Sequence, residues 1–239
     1  TDHCDKALLD RCEQGDFAED LWQQIIANGF HQLGDAASGT TPADIFAFLK
    51  VCGRFAVPLP MAELLLGHSW GVAQLAPCEG LVSIGRQHGK QAIQVPWGRR
   101  AQRVFGVDEN SQVVCVADAP VCVQEGSNMA AEARDTIELG PDTQQITLSD
   151  DPFAQMALAR TNLMAGTLQS TLDLGLQFAA EREQFGRSIS KFQAIQHSLA
   201  VVAAEVAAAQ RAADAGVDAL GTDRFIAEVA ASKARVGEA

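Results

Sequence analysis

A group of cations next to a predicted helix junction is the part of this sequence most suited to chemistry. Arg182, Arg187 and Lys191 lie close together, and Gly186 between them favours the end of one helix shortly before the start of another. The N-terminus of a helix presents unpaired N–H groups and the positive end of the helix dipole, so cations beside it could bind a pyrophosphate. The alternative is a solvated basic corner without a ligand, because charge clusters at helix ends are common on protein surfaces.

Other catalytic patterns are missing from the sequence. The five histidines are scattered, and His197, which alone falls near the cations, is expected to pack or to be half-exposed on a helix. The six cysteines contain no CxxC pair, so neither a zinc knuckle nor a dithiol redox motif is indicated. No serine stands in a G-x-S-x-G turn, the arrangement typical of acyl-transfer hydrolases. The sequence therefore predicts no metal site.

The elements that position the cations follow from the spacing of apolar residues. Over residues 4–30 these residues recur every three to four positions, which predicts helices. Pro42 favours the first turn of a further helix, and the segment Val57–Met61, with two prolines, ends that helix and begins another. We predict an N-terminal helical domain over residues 1–67.

The spacing changes to that of strands between about residues 80 and 148. Short β-rich runs separated by turn residues predict six or seven strands and a middle antiparallel β domain over residues 68–148. These runs include residues 81–84, 92–95, 103–107, 113–116 and 146–148.

From residue 149 the pattern is helical to the end of the sequence. Ser149–Pro152 is a helix-start signal, and the helix that follows is predicted to end near Phe185–Gly186. The next helix is predicted to start at Ser188 or Ser190. Its apolar positions form a bundle seam beside an alanine-rich face, and this surface exceeds what two neighbouring helices would cover, so we expect an oligomer. The seam consists of Phe192, Ile195, Leu199, Val202 and Val206.

Composition and charge narrow the class of protein further. The 239 residues are 47% apolar and 20% charged, which is typical of a folded globular protein. The formal net charge of −12 disfavours nucleic acid and anionic membrane surfaces as partners. No apolar run approaches the roughly 20 residues of a membrane span, and residues 1–5 do not resemble the start of a signal peptide. We predict a soluble, cytoplasmic protein.

Residues 181–200 read ERxQFGxxIxxFQAIQHxLA, with x at the remaining positions. This pattern resembles the signature of the acyl-CoA dehydrogenase family, at the junction of the first two long helices of its C-terminal bundle. Residues 30–53 and 58–63 are similar to the family's N-terminal helices, and residues 128–135 are similar to the end of its middle β domain. The resemblance implies an α+β fold with an N-terminal helical domain, a middle antiparallel β domain and a C-terminal long-helix bundle, the order predicted above.

In this family FAD accepts a hydride from the β-carbon of an acyl-CoA thioester while a glutamate removes the α-proton. By resemblance, Arg182 corresponds to an arginine that contacts the FAD phosphate across a subunit interface. Gln193 corresponds to a glutamine of the same site, and Phe185 to the neighbouring aromatic residue. The alternatives are that Arg182 pairs with Glu181 or Glu183, that Gln193 is an exposed helix residue, and that Phe185 is a core residue at a helix end.

Three departures from the family pattern limit what this chain is expected to do. Residues 80–91 lack the TEPxAGSD-like stretch that holds the flavin ring, and Met156 stands at or near one family position of the catalytic glutamate. The other glutamate position belongs to a glycine-rich segment later than residues 233–239, so the bundle is incomplete relative to the family. Glu205 and Glu228 are expected on solvated helix faces. We assign no catalytic base.

The leading hypothesis follows from the residues that are kept and those that are missing. Some bacterial acyl-CoA dehydrogenases are α2β2 heterotetramers, often acting on steroid-derived acyl-CoA thioesters, in which one subunit completes the FAD site of its catalytic partner. Since Arg182 and Gln193 are kept, this sequence fits the non-catalytic subunit. The alternatives are a self-sufficient homo-oligomeric dehydrogenase with further C-terminal helices and a flavin-free structural protein of the same fold.

Overall fold

The computed structural model describes residues 4–34, 38–71, 75–108 and 112–239, which form seven α-helices and nine strands. The helices are α1 (Lys6–Cys12), α2 (Glu19–Ala27), α3 (Pro42–Arg54), α4 (Met61–Gly71), α5 (Pro152–Glu181), α6 (Gln193–Asp218) and α7 (Phe225–Glu238). The strands are β1 (Val82–His88), β2 (Gln91–Pro96), β3 (Arg103–Val107), β4 (Val113–Asp118), β5 (Val121–Gln124), β6 (Arg134–Glu138), β7 (Gln144–Thr147), β8 (Glu183–Gln184) and β9 (Arg187–Ser188). The predicted order of helices, sheet and long helices is confirmed. Residues 1–3, part of the segment compared with a signal peptide, lie outside the described residues.

The chain divides into two compact units. Unit 1 comprises Thr1–Ile45 and Val57–Met156, and unit 2 comprises Phe46–Ala56 and Ala157–Ala239. The second half of α3 therefore groups with the long helices and not with the helices that flank it in the sequence. The three-domain division at residues 67 and 148 stays a prediction.

The sheet of unit 1 has seven strands in the order β5-β6-β2-β1-β3-β4-β7. Every neighbouring pair is antiparallel except β1 and β3, which run parallel with Val82 opposite Arg103. A hairpin joins β1 to β2, and residues 97–102 then carry the chain across to the far side of β1. The chain thus reverses twice before β3 begins, so β3 takes the direction of β1. The predicted antiparallel domain is correct apart from this pair.

Helix α4 anchors the sheet because it is buried on nearly all sides. Leu64, Leu65 and Leu66 are at most 3% exposed, as expected for a helix that is surrounded by protein. At Gly67 an added Cβ would lie 2.4 Å from Cγ1 of Val82 in β1, so glycine allows the helix to approach the strand closely. Strands β1 and β3 are therefore buried on both faces over most of their length.

A buried carboxylate ties β6 to the loops around it. Asp135 is fully buried and accepts hydrogen bonds from Arg99 Nη2 at 2.6 Å, from the Arg99 backbone N–H at 2.8 Å and from the Gly126 N–H at 3.2 Å. Burial by itself raises the pKa of Asp135, but the hydrogen bonds from Arg99 and Gly126 and the guanidinium charge outweigh it, so the pKa lies below its usual value. Arg99 also pairs with Glu125 at 2.6 Å, whose side chain is 68% exposed.

In unit 2 the second half of α3 crosses α5 with the two backbones in contact. A Cβ added at Gly53 would lie 2.0 Å from the Leu163 carbonyl oxygen, and one added at Gly166 would lie 2.0 Å from that of Lys50. Thr167 Oγ1 donates to the Gly53 carbonyl at 3.1 Å across the same crossing. Only glycine fits at positions 53 and 166 without moving one of the helices.

Helices α6 and α7 complete unit 2. The contacts between them involve the second half of α6, where Ser232 Oγ donates to the Ala212 carbonyl and lies near Gly216. Arg235 of α7 pairs with Glu205 at 2.5 Å. The first half of α6 and the second half of α5 extend from this packed region, with Gly175 of α5 lying opposite Leu199 of α6.

The cysteines and the helices of the described residues were also considered for disulfides and for membrane spans. Of the six cysteines, Cys52 and Cys115 are buried, four are half-buried, and none of these described residues is in a disulfide. The described helices include none with the length and apolar character needed to cross a membrane.

The Asp135 network predicts an acid-sensitive contribution to the stability of unit 1. We expect Asp135→Asn to lower the free energy of unfolding by about 3 kcal/mol at neutral pH, because it removes the charge that pairs with Arg99. The folded-state pKa lies below the unfolded value of about 3.9, so the contribution is complete above that pH and is lost as the pH falls through the folded-state pKa. The difference from wild type therefore shrinks below about pH 4.

Urea unfolding followed by tryptophan fluorescence measures this effect, because Trp22, Trp70 and Trp97 all belong to unit 1. Glu125→Gln is the control. It removes an exposed partner of the same arginine and is expected to cost less than about 1 kcal/mol. A difference between Asp135→Asn and wild type that is independent of pH would contradict the prediction.

The crossing of α3 and α5 predicts a second effect on stability. Gly166→Ala is expected to cost about 1–3 kcal/mol, because the new methyl group overlaps the Lys50 carbonyl. Gly175→Ala on the same helix is the matched control, since its nearest neighbour would be Leu199 Cδ2 at an ordinary 3.7 Å. The control is expected to be neutral or to stabilise by up to about 1 kcal/mol. Thermal unfolding followed by far-UV circular dichroism compares the two, and equal effects would show that the crossing tolerates a side chain.

Candidate functional site

The junction between α5 and α6 is a short hairpin, and we call residues 182–193 the hairpin corner. Helix α5 ends at Glu181, four residues before the predicted Phe185, and α6 begins at Gln193 and not at Ser188 or Ser190. The strands β8 and β9 pair in between, with Glu183 opposite Ser188 and Gln184 opposite Arg187. Phe185 and Gly186 both have positive φ, 52° and 77°, which suits a two-residue hairpin turn and cannot continue a helix.

Backbone and serine hydrogen bonds fix the base of the hairpin corner. The Ile189 N–H donates to the Arg182 carbonyl at 2.8 Å and closes the hairpin. Ser188 Oγ donates to the Ala179 carbonyl at 2.8 Å and ties β9 to the last turn of α5. Gln196 Nε2 donates to the Ser190 carbonyl at 2.9 Å and ties the same segment to the first turn of α6. The positions of Arg182 and Gln193 are therefore set by the ends of two long helices.

Arg182 and Gln193 are both exposed at this corner. Within the described part of the chain, Arg182 forms no ion pair with Glu181 or Glu183, so that alternative is not what the structure shows. Gln193 is the first residue of α6, and no side chain caps the N-terminus of this helix. The first N–H groups of α6 therefore remain available to an acceptor from outside the chain.

Phe185 lies at the tip of the hairpin and is 93% exposed. The expectation that it might be a core residue at a helix end is wrong, because the chain leaves the helix before residue 185 and the left-handed turn directs it away from the packed region. Its ring lies edge-on to Phe192, with the centroids 6.1 Å apart. The guanidinium carbon of Arg187 lies 4.3 Å from the centroid of the same Phe192 ring. Phe192 was predicted to lie in the bundle seam, and the spacing of apolar residues does not indicate this stack.

The hairpin corner is basic in an acidic chain. Arg182, Arg187 and Lys191 are all exposed there, whereas the whole chain carries a formal net charge of −12. Together with the uncapped N-terminus of α6, Arg182 and Lys191 can attract and hydrogen-bond an anion such as a phosphate.

Exposed apolar side chains lie on the helices that lead to the corner. The predicted seam is covered only in part: Val206 is buried, Phe192, Ile195 and Leu199 are half-buried, and Val202 is 39% exposed. We call the large exposed side chains of the second half of α5 and the first half of α6 the exposed apolar set. They are Leu174 (64% exposed), Leu176 (47%), Phe178 (62%), Val201 (50%) and Val202 (39%).

Met156 and residues 80–91 stand where the family has a catalytic glutamate and a flavin-ring motif. Met156 is half-buried in α5, and its neighbour Gln155 accepts a hydrogen bond from the Trp70 indole at 2.6 Å. Residues 80–91 contain strand β1, where the Ser83 hydroxyl donates to the Pro96 carbonyl at 2.6 Å. That hydroxyl is therefore used inside the sheet.

The acidic residues of the long helices are also engaged. Glu205 pairs with Arg235, and Glu228 lies 3.8 Å from Arg224. Each side chain is partly exposed, so both carboxylates lie on helix faces that solvent reaches. Among residues 4–34, 38–71, 75–108 and 112–239, no group of three or more His, Cys, Asp or Glu side chains could hold a metal ion.

Comparison of the sequence with known proteins finds acyl-CoA dehydrogenases. Residues 149–239 match the family described as acyl-CoA dehydrogenase, C-terminal domain. A segment of 44 residues is 52% identical to the probable acyl-CoA dehydrogenase YngJ of Bacillus subtilis (strain 168). That segment is 18% of this chain and 12% of the relative, so the sequence match covers only a small part of either protein.

Solved structures extend the likeness to nearly the whole chain. A variant of the steroid ACAD Tcur3481-Tcur3483 superposes with a TM-score of 0.72 at 17% identity, over 99% of this chain and 81% of that one. The ChsE4-ChsE5 complex from Mycobacterium tuberculosis gives 0.67 at 17% identity, over 92% and 75%. PigA, solved with FAD and proline, gives 0.72 at 14% identity, over 98% and 79%.

The resemblance to the acyl-CoA dehydrogenases is thus confirmed. Residues 149–239 match the acyl-CoA dehydrogenase C-terminal domain, and the chain as a whole has the fold of the acyl-CoA dehydrogenase structures.

The exposure of the corner predicts that its polar residues can be changed without unfolding the protein. Arg182→Ala and Gln193→Ala are each expected to alter the free energy of unfolding by less than about 0.5 kcal/mol, because neither side chain is buried. Phe225→Ala, which removes a side chain that is 3% exposed in the same unit, is expected to cost about 3–5 kcal/mol. Thermal unfolding of the chain measures all three. A large loss for Arg182→Ala would mean that this residue has a structural role.

Proposed function

We propose that this chain is the non-catalytic subunit of an FAD-dependent acyl-CoA dehydrogenase and that its hairpin corner completes the FAD site of a catalytic partner subunit. The observation that carries the proposal is that Arg182 and Gln193 lie at the same helix junction, just after α5 and at the start of α6. Both lie at a hydrogen-bonded helix junction, both are exposed, and the Arg182 guanidinium has no ion pair among the described residues.

The donors at the corner fit the anionic part of FAD. A pyrophosphate needs cations and N–H donors that converge on it, and Arg182, Lys191 and the N-terminus of α6 are of this kind. The amide of Gln193 adds a neutral donor and acceptor. Phe185 adds an exposed aromatic face to the same segment, which suits contact with a planar ring.

This chain lacks suitable residues at the positions that would bind the flavin ring and accept the proton. Met156 has a thioether where a carboxylate would be needed to take a proton, and the Ser83 hydroxyl is bonded inside the sheet. Glu205 and Glu228 face arginines. In the proposed complex the partner therefore provides the base and the contacts to the ring, while this chain binds the phosphate end.

Bound FAD would supply the acceptor for the hydride that leaves the β-carbon of the acyl-CoA thioester. This chain's own part is to hold and orient: Arg182 neutralises phosphate charge, Gln193 fixes the start of α6 against the cofactor, and the hairpin keeps water from one side of it.

The exposed apolar set supports a partner subunit. Its residues lie on the two helix halves that lead to the corner, so a protein that covers them also meets Arg182 and Gln193. Burying large aliphatic and aromatic side chains is the main source of free energy for such an association. The Tcur3481-Tcur3483 and ChsE4-ChsE5 structures each pair two proteins, and the first is a steroid ACAD, so an α2β2 complex that acts on a steroid-derived acyl-CoA is the form we propose.

The test is co-expression with the acyl-CoA dehydrogenase-like proteins encoded by the neighbouring genes, followed by measurement of bound FAD in the visible spectrum. We expect a yellow complex, and a colourless chain when it is expressed alone. Arg182→Ala is expected to weaken FAD binding by the complex about 10- to 100-fold, because it removes a charge-assisted contact of about 1.5–3 kcal/mol. Arg211→Ala is the control, since this exposed arginine of α6 lies away from the corner.

Each other outcome favours a different function. FAD bound by the chain alone would show a self-sufficient dehydrogenase. FAD absent from the chain and from every complex would leave a flavin-free structural protein of this fold. Equal FAD affinities in the Arg182→Ala and Arg211→Ala complexes would show that the corner does not touch the cofactor.

A further inference from the structure

The tip of the hairpin is held by an aromatic and cationic stack that is separate from the hydrogen bonds at its base. Arg187 lies over one side of the Phe192 ring at 4.3 Å, and Phe185 meets the same ring edge-on at 6.1 Å. A guanidinium at this distance from a ring face is attracted by the ring quadrupole, and edge-to-face rings attract each other in the same way.

The Phe185 side chain needs such a support. The β8–β9 ladder pairs Gln184 with Arg187 and fixes the backbone on either side of Phe185 and Gly186, but it does not hold the Phe185 ring. Phe185 has a φ of 52°, which is strained for a residue with a Cβ. Its ring is 93% exposed, so burial does not hold it in place.

The same stack reaches the start of α6. Phe192 is the residue that precedes Gln193, and its N–H donates to the Ile189 carbonyl at 3.1 Å while its carbonyl accepts from the Gln196 N–H at 3.0 Å. These two hydrogen bonds fix the backbone of Phe192, and its half-buried ring contacts both other side chains. Phe192 connects the hairpin tip to the helix that carries Gln193.

We propose that Arg187 is a positioning residue: by stacking on Phe192 it holds Phe185 and the hairpin tip in the shape that receives the flavin cofactor, without contributing its charge to the phosphate. This inference rests on the proposed function for its consequence, although the stack itself belongs to the free chain. Among the described residues Arg187 forms no ion pair, and its guanidinium lies over the ring of Phe192.

A double-mutant cycle on the affinity of the complex for FAD separates positioning from direct binding. Arg187→Gln removes the cation and is expected to weaken FAD binding about two- to fivefold, the factor that corresponds to an exposed cation–aromatic contact. Arg187→Lys keeps a cation over the ring, so the variant complex is expected to bind FAD with the affinity of the wild-type complex. Phe192→Leu removes the ring, and Phe192→Tyr keeps it and serves as the control for packing.

In the Phe192→Leu background the Arg187→Gln change is expected to have no further effect, because there is no ring left for the guanidinium to stack on. The same loss from Arg187→Gln in both backgrounds would overturn the proposal and would show that Arg187 acts on the phosphate as a charge. A failure of Arg187→Lys to restore affinity would also overturn it.

The stack can be tested in the free chain, so its failure is distinguishable from a failure of the proposed function. In NMR spectra, the Arg187 δ-methylene protons are expected to be shifted upfield by the ring current of Phe192, and Phe192→Leu is expected to abolish the shift. If the complex binds no FAD but the shift is present, the proposed function is wrong and the stack is retained only as a feature of the hairpin, which overturns the cofactor role given to Arg187. A missing shift in the wild-type chain would overturn the proposal directly.

Discussion

The backbone contact between α3 and α5 is the constraint on which the arrangement of unit 2 depends. Gly53 and Gly166 leave the two helices no space for a side chain at the crossing, so the first half of α5 is held against α3. Asp214 of α6 pairs with Lys50 of α3 close to the same place. A helix of 30 residues is about 45 Å long, so a clamp on its first half leaves its last turns far from the clamp.

The hairpin corner owes its exposure to this geometry. Helix α7 contacts the second half of α6, and the facing ends of α5 and α6 extend past it with Leu174, Phe178 and Val201 exposed. A pair of helices covers only one side of each, so the exposed apolar set persists although the chain has a well-packed core elsewhere. The corner is therefore rigid where it is hydrogen-bonded and open on the side that a second protein would cover.

Much of this could be predicted from the sequence, because helix periodicity, helix-start residues and turn residues act locally. The helices of the N-terminal region and the start of α5 at Pro152 are examples, and Asp151 does accept the Ala154 N–H at 2.9 Å as a helix cap. Strand β5 was harder to predict from the sequence, because it is exposed along most of its length and carries no alternating pattern. The parallel pairing of β1 and β3 depends on where residues 97–102 cross the sheet, which no local pattern specifies.

The site shows the same division between local and tertiary information. The motif singled out Arg182, Phe185 and Gln193, because their types and spacing are properties of the sequence. The end of α5 at Glu181 was not predicted. A phenylalanine in the left-handed region is uncommon, and in the sequence only Gly186 indicates the turn. The stack of Arg187 on Phe192 was missed as well, because the hairpin brings together side chains that a continuous helix would have separated.

A divided FAD site has a thermodynamic consequence for the complex that we propose. If one subunit binds the phosphate end and the other binds the ring, neither alone gains the full binding free energy. Whatever each half contributes is then available only after the subunits have associated. By linkage, a cofactor that binds the assembled form more tightly stabilises that assembly by the same factor. The exposed apolar set and Arg182 would then act together. A partner that covers the exposed apolar set also brings its cofactor to Arg182.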